Sequence, residues 1–349
     1  MLTTIAAGRV FDFSHAVGRG GGSGMGFNRG VAIALGEGDT VYVLNRGAEQ
    51  IKDVPWNKTH VGARVGKFTI GPVPGDEEFV ADISKPGNGP GELIWPAGLA
   101  LDSQENVYVT DEWLNHVSVF DKDGKFLGDW GTAGSGDGEF NRPSGIAIDP
   151  QDMLYIVDTG NHRIQKFTRD GEFLAQWGSF GTAPGQFNAP WGITLDQQGD
   201  VYVADHKNHR VQKFTADGEF VLQFGSYGTG KRQLNRPSDV AVDPDGDIYV
   251  CDWANHRVQV FDANGKIVTS LIGDAQELSK WARMSLETNP GAMRRRREVP
   301  NLEREWRFAF PTAVVFDTKH SRVIVSDTQR NRLQIYNKLR DYQQAARTI

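Results

Sequence analysis

Phe140-Asn-Arg-Pro-Ser-Gly-Ile-Ala-Ile-Asp149, Leu154-Tyr-Ile-Val-Asp158, Asn161-His-Arg-Ile-Gln-Lys-Phe167 and Gly171-Glu-Phe-Leu-Ala-Gln-Trp-Gly178 form one unit, and that unit decides the fold. The same pattern returns from Phe187 to Gly225 and from Leu234 to Gly273. A looser copy runs from Ile94 to Gly131. Asp111, Asp158, Asp205 and Asp252 follow one another at intervals of 47 residues. Within each unit, four short alternating runs are separated by turn residues such as Asp-Gly, as four strands joined in a meander require. A four-stranded unit repeating every 40–50 residues or so is a propeller blade.

Two further copies are degenerate. One spans about Phe27 to Ile70, with Asn45 in place of the aspartate. The other begins at Phe310 and is marked by Asp327 and Asn331-Arg332. The fold expected is therefore all-β, a six-bladed propeller formed by residues 1–349 as one domain. Closure is also readable. Phe13–Asn28 aligns without gaps on Phe173–Asn188, which places Gly18 on Gly178 and Phe27 on Phe187. Val10 to Val17 should then be the outermost strand of the last blade, whose inner strands end near Leu333–Tyr336. A ring closed in this way leaves no open edge between first and last blade. Residues 339–349 read as a short polar helix or tail.

The repeat resembles the NHL family, whose Asn-His is matched here by Asn115-His116, Asn161-His162, Asn208-His209 and Asn255-His256. The aspartates and Asn-His pairs recur in blade after blade. A residue used equally by four blades ties loop backbone groups together rather than building one asymmetric site.

The site should instead lie where blades differ, at the mouth of the channel on the top face. Behind the proline the blades read Gly30, Ala97, Ser144, Trp191, Ser238 and Thr312, and Asp239 follows Ser238 where others have Gly. Behind the aspartate they read Arg46, Glu112-Trp113, Thr159-Gly160, His206-Lys207, Trp253-Ala254 and Thr328-Gln329. Aromatic walls with a few polar groups are the usual makeup of a small-molecule pocket, although the tryptophans could equally plug the channel. His206, Glu112 and Asp239 are the candidate acid–base residues, and Arg46, Trp113, Trp191 and Trp253 the candidate substrate contacts. Two insertions, 46–61 and 274–306, leave from top-face loops and are expected to cover the mouth as a lid. The second should contain a helix over 275–286.

The resemblance implies several chemistries. Some NHL propellers are zinc lyases that release amidated peptides from peptidyl-hydroxyglycine, with zinc-binding histidines in part behind the proline. This chain has none there, which leaves His206 and, from an insertion, His60. Other six-bladed propellers are calcium-dependent lactonases and esterases. Asn45, Glu112 and Asp239 form a tentative oxygen-rich set for such an ion. A metal-free acid–base site is the third variant. The expected activity is thus that of a lyase or hydrolase acting on a small or peptide-like molecule, with calcium, zinc or no cofactor. The alternative is a non-catalytic NHL scaffold for protein or RNA.

Composition narrows this. The net charge of −6 argues against broad nucleic-acid binding, and Arg294–Arg297 is the one strong basic cluster. Trp281, Met284, Leu286 and Met293 could present an apolar face to a second copy. One cysteine, Cys251, fits a reducing compartment. Met1 to Arg9 has no run of signal-peptide type, and no later run reaches membrane-spanning length, so a cytoplasmic location is expected.

Overall fold

A computed structural model describes residues 3–53 and 57–340, with backbone alone over 49–53 and 57–60. Its architecture is a closed ring of six antiparallel sheets. The inner strands are Gly30–Leu35, Pro96–Leu101, Pro143–Ile148, Ile193–Leu195, Pro237–Val242 and Pro311–Asp317, and each packs against the next around the channel. The second strands, such as Leu154–Asp158, are buried along their whole length because a blade lies on either face. The fourth strands, such as Phe173–Trp177, alternate half-buried and exposed residues, as an outer edge should. Six hydrophobic clusters fill the spaces between neighbouring blades. Among the described residues no helix is long and apolar enough to cross a membrane.

The last blade closes with a strand from the start of the chain. Arg9–Val17 pairs antiparallel with Arg332–Leu339 in the register Val10↔Leu339 to Val17↔Leu333. It is not the outermost strand, however. Thr3–Ala6 pairs outside it and makes this blade five-stranded. The Gly18–Phe27 match has a physical basis. Gly178 has φ +99° with the Phe187 ring lying against it, and a Cβ there would come within 2.6 Å of that ring. Gly18 (φ +103°) and Phe27 repeat this packing at the seam.

The insertions fold differently from expectation. Residues 46–61 contain a hairpin, Ala48–Asp53 with Asn57–Val61. The His60 side chain lies outside the described residues, as does the tail beyond residue 340. Residues 274–306 contain three helices, α1 (Lys280–Glu287), α2 (Pro290–Arg297) and α3 (Glu303–Trp306). The helix expected from Ala275 starts only at Lys280, because Ser279 is its N-cap and accepts from the Ala282 amide at 3.1 Å. The residues ahead of it are spent on the ring, where Asp274 accepts from the Tyr336 hydroxyl and Ala275 is buried.

The first helix of 274–306 is held at the flank of the ring. Ser279 Oγ donates to the Gly18 carbonyl, and Trp281 is buried against Phe68 with ring centroids 5.6 Å apart. Both contacts belong to the flank between the last and first blades, so α1 runs down the side of the ring rather than across the channel mouth. The seam offers the apolar surface that buries this indole. Trp281 is thereby removed from the apolar face expected for a second copy. Two of the four arginines of α2 are paired, Arg294 with Glu298 at 3.3 Å and Arg296 with Glu305 at 3.1 Å.

Candidate functional site

The repeating polar residues bind blades to one another. Asp205 is fully buried and accepts from the Asn188 amide (2.8 Å), Asn208 Nδ2 (2.9 Å), Arg210 Nε (2.8 Å) and Gln212 Nε2 (3.1 Å). Arg210 in turn donates to the carbonyls of Thr182, Ala183 and Gln186 in the loop that precedes its blade. The histidines act likewise. Backbone amides of Ala189, Arg236 and Phe310 donate to Nδ1 of His162, His209 and His256 at 3.0–3.1 Å. One register needs correcting. In the second blade Asn115, not His116, holds this place, and its Oδ1 accepts from the Arg142 amide at 2.8 Å. All these residues sit at positive φ, which asparagine tolerates well.

Several variable positions prove to be sutures as well. Ser144 Oγ bonds Thr159 Oγ1 (2.6 Å) and donates to the Trp191 carbonyl (2.9 Å). Ser238 Oγ donates to the Thr312 carbonyl (3.0 Å), and Thr328 Oγ1 donates to the Gly30 carbonyl (2.8 Å). Gly30 pairs with Asn45 as Pro143 pairs with Asp158, so Gly30 occupies the proline position and Val31 the mouth position behind it.

What remains converges. Arg46 leaves the first blade, forms an ion pair with Glu112 at 3.0 Å, and lays its guanidinium 4.8 Å from the Trp95 ring and 5.9 Å from the Trp191 ring. Trp191 belongs to the fourth blade, opposite the first in a ring of six, so the arginine spans the mouth. Its Nε is buried with no hydrogen-bond partner among the described residues. Burial pulls its pKa below the usual guanidinium value, against the pull of Glu112. Beyond Trp191 the aromatic row continues through His206 (5.1 Å), Trp253 (6.1 Å) and Phe310 (4.7 Å). Below lies a channel cavity of about 370 Å³, lined by small and apolar residues of the inner strands together with Asp239.

His206 is buried with Nδ1 3.1 Å from the Pro237 carbonyl. A carbonyl only accepts, so Nδ1 carries the proton and Nε2 keeps its lone pair. Burial, with Arg236 nearby, pushes the imidazole pKa down to about 4, while the Pro237 bond opposes this. The folded pKa is therefore depressed below the unfolded 6.5. Its contribution to stability is complete above pH 6.5 and is lost as the pH falls toward 4. His206→Asn keeps a donor for Pro237 and removes the titration. The variant should lose less stability than the parent between pH 7 and 4 in urea melts. An identical pH slope would contradict this assignment.

The other predicted residues are placed less favourably for chemistry. Glu112 lies between Arg46 and Arg142, 3.1 Å from the latter, and holds both rather than standing free as a base. Trp113 is 64% exposed on the outer rim, where a cavity of about 430 Å³ also touches Trp95 and Arg142. Asp239 accepts from the Val314 amide at 2.9 Å and stitches the fifth blade to the sixth. Burial raises its pKa to about 7, so near neutrality its carboxyl is partly protonated. Asn45 spends its Oδ1 on the Asn28 amide and its Nδ2 on the Val43 carbonyl. The metal set Asn45, Glu112 and Asp239 is thus dispersed into separate structural bonds of three different junctions. Among the described residues no three of His, Cys, Asp or Glu are grouped to hold a metal. Cys251 is buried in its strand, which pushes its thiol pKa up and makes it inert.

Sequence reasoning missed Trp95 and Arg142. Both precede the proline, a position that also differs among blades as Arg29, Ala189, Arg236 and Phe310. That variation was the available signal.

The NHL repeat family matches residues 187–214 and 234–261, and a family described as a six-bladed β-propeller matches residues 103–177. Among curated proteins, none matches the chain. In structure the chain is similar to a catalytically inactive virginiamycin B lyase from Staphylococcus aureus with quinupristin (TM-score 0.56, 13% identity, 94% of this chain and 100% of that one). It is also similar to a streptogramin B lyase (0.54, 12%, 94% and 98%). A Bacteroides thetaiotaomicron protein of unknown function is a third such structure (0.58, 20%, 96% and 77%). At these identities the likeness shows the fold.

Proposed function

We propose that this chain, a six-bladed propeller carrying NHL repeats, is a lyase or hydrolase that takes a small anionic molecule with a flat apolar part at the top mouth of its channel. The observation that carries this reading is the Trp191–His206–Trp253 row beside the buried Arg46. Aromatic faces would hold the flat part. An anionic group would meet Arg46, whose Nε has no partner among the described residues, and the exposed arginines Arg29, Arg142 and Arg236 that precede the inner strands would draw it in. His206, its tautomer fixed by Pro237, would act through Nε2 as the general base. Its depressed pKa keeps it neutral at physiological pH. Glu112 is a positioning residue for the two arginines rather than a catalytic one. The likeness to the virginiamycin B and streptogramin B lyases adds only the fold.

The test is a thermal-shift and turnover screen of small aromatic carboxylates and their esters or lactones, followed by rim variants. Trp191→Ala and Trp253→Ala should each weaken ligand binding at least about tenfold. His206→Gln should lower turnover roughly 100-fold while binding persists. If all three variants keep native affinity and turnover, the rim is not the site.

An interaction scaffold is the second reading, favoured by exposed aromatics on the same face. Phe180 is 66% and Tyr227 68% exposed, their rings tilted against those of His162 and His209 with centroids 5.0 and 4.7 Å apart. Phe180→Ser with Tyr227→Ser should abolish binding of a macromolecular partner and leave small-molecule binding unchanged.

A further inference from the structure

The insertion creates a cavity far from the channel. It has a volume of about 670 Å³ and lies between α1, the strand Arg9–Val17 and the turn near Gly75. Asp12 and His15 line it from the strand, Glu77 from the turn, and Lys280 and Arg283 from the helix. Three buried side-chain atoms without a hydrogen-bond partner among the described residues belong to this wall, namely Asp12 Oδ1, His15 Nε2 and Glu77 Oε1. Among the described residues, no other carboxylate has a buried oxygen in that state. Glu77 is 1% and His15 6% exposed. An unpaired buried acceptor forfeits about 1–3 kcal/mol, more when charged, so three in one wall call for an explanation.

The nearby cations do not supply it. Lys280 Nζ is spent on the Gly75 and Glu77 carbonyls at 2.9 and 3.0 Å. Arg283 reaches only Glu277, at 3.7 Å. Arg322, which also faces His15, is bonded to Asp317 and to the carbonyls of Ile70 and Gly71. His15 itself is no cation. Burial, with help from Arg322, pushes its pKa down to about 4. Ser14 Oγ lies 2.9 Å from Nδ1 and can accept from it, and a cation donating to Nε2 would select that tautomer, with Nε2 as a third acceptor. The remaining carboxylates of the wall, Asp274, Glu277 and Glu287, add negative charge, while Phe13, Leu278 and Met284 offer apolar surface. The cavity thus presents acceptors and negative charge around a volume that suits a short carbon chain.

We propose that this flank cavity is a binding site for a small organic cation, an alkylammonium or guanidinium compound with a short carbon body, whose N–H groups donate to Asp12 Oδ1, Glu77 Oε1 and His15 Nε2. The ligand would join the N-terminal strand, the first blade and the insertion, three segments remote in sequence. Its binding would therefore stabilise the closed ring. The site is independent of the channel mouth, and its failure would leave the reading of the mouth untouched.

Calorimetry and thermal melts of the full chain with putrescine, spermidine and agmatine test it. Choline, a cation without N–H donors, and sodium chloride at matched ionic strength are the controls. Saturable one-to-one binding of at least one N–H cation with a raised Tm is expected, and no response to choline. Glu77→Gln and Asp12→Asn should each weaken binding about tenfold or more, the loss of one charge-assisted bond. Met284→Trp, a change at a helix position 49% exposed that fills the cavity from outside, should block binding while the chain stays folded. No saturable binding by any of the three probes overturns the proposal. So does equal binding of choline, or native affinity in all three variants.

Discussion

Asp205→Ala is expected to destabilise the ring by about 3–5 kcal/mol, because it leaves a buried arginine without its counter-charge. The Arg210 side chain is 8% exposed and directs its five donors at Asp205, Gln223 and three loop carbonyls. Without the carboxylate, the Asn188 amide, Asn208 and Gln212 lose their acceptor too. The first blade supplies the control. There Asn45 stands in the aspartate position, and Arg64 turns to Asp82 of the fourth strand at 2.6 Å. Asp82 occupies the register of Gln223, since each pairs with the residue two beyond the arginine. Asp205→Asn should therefore be strongly destabilising alone and largely rescued by Gln223→Asp. Urea melts of the four proteins form a double-mutant cycle. Additive losses, with no rescue, would mean that the arginine does not need a carboxylate here.

Lys338→Met should lower stability by a comparable amount, about 3–5 kcal/mol, by leaving buried carboxylates unpaired. Lys338 Nζ lies 2.5 Å from Asp243, 2.9 Å from Asp245 and 2.9 Å from Asp247, with its side chain 6% exposed. Arg9 adds a second cation to Asp247 at 2.8 Å, and the Tyr249 hydroxyl donates to Asp243 at 2.7 Å. The lysine comes from the sixth blade and the aspartates from the bottom turn of the fifth, so the cluster fastens the blade that closes the ring. A Tm fall of roughly 5–15 °C is the expected readout. Arg9→Met, whose side chain is 32% exposed, should cost much less. If the two variants melt alike, the cluster is a surface feature and not a clasp.

Much of this was open to sequence reasoning because a propeller is periodic. Spacing of 47 residues between aspartates fixes blade length, and alternation within each run fixes which strands are inner. The gapless match around Gly18 and Phe27 located the closing strand, since glycine with positive φ and an aromatic ring over it are needed together. Differences between blades pointed to the mouth and brought forward Arg46, Trp191, His206 and Trp253, which do meet there. The same criterion also selected Ser144, Ser238 and Thr328, whose hydroxyls fasten one blade to the next. Variation alone does not separate a suture from a site, because either task suits a small polar residue at a blade junction.

The amino-acid sequence by itself determined the number of blades and the route by which the ring closes, though not the fifth strand outside the last blade, because repetition and alternation are local patterns that the repeating blades state again. Tertiary structure alone decided the partners of each variable side chain. Whether Glu112 stood free or between two arginines depended on residues 66 and 30 positions away. Where α1 packs depended on which apolar surface could bury Trp281, and that surface, built around Phe68, exists only once the first and last blades have met.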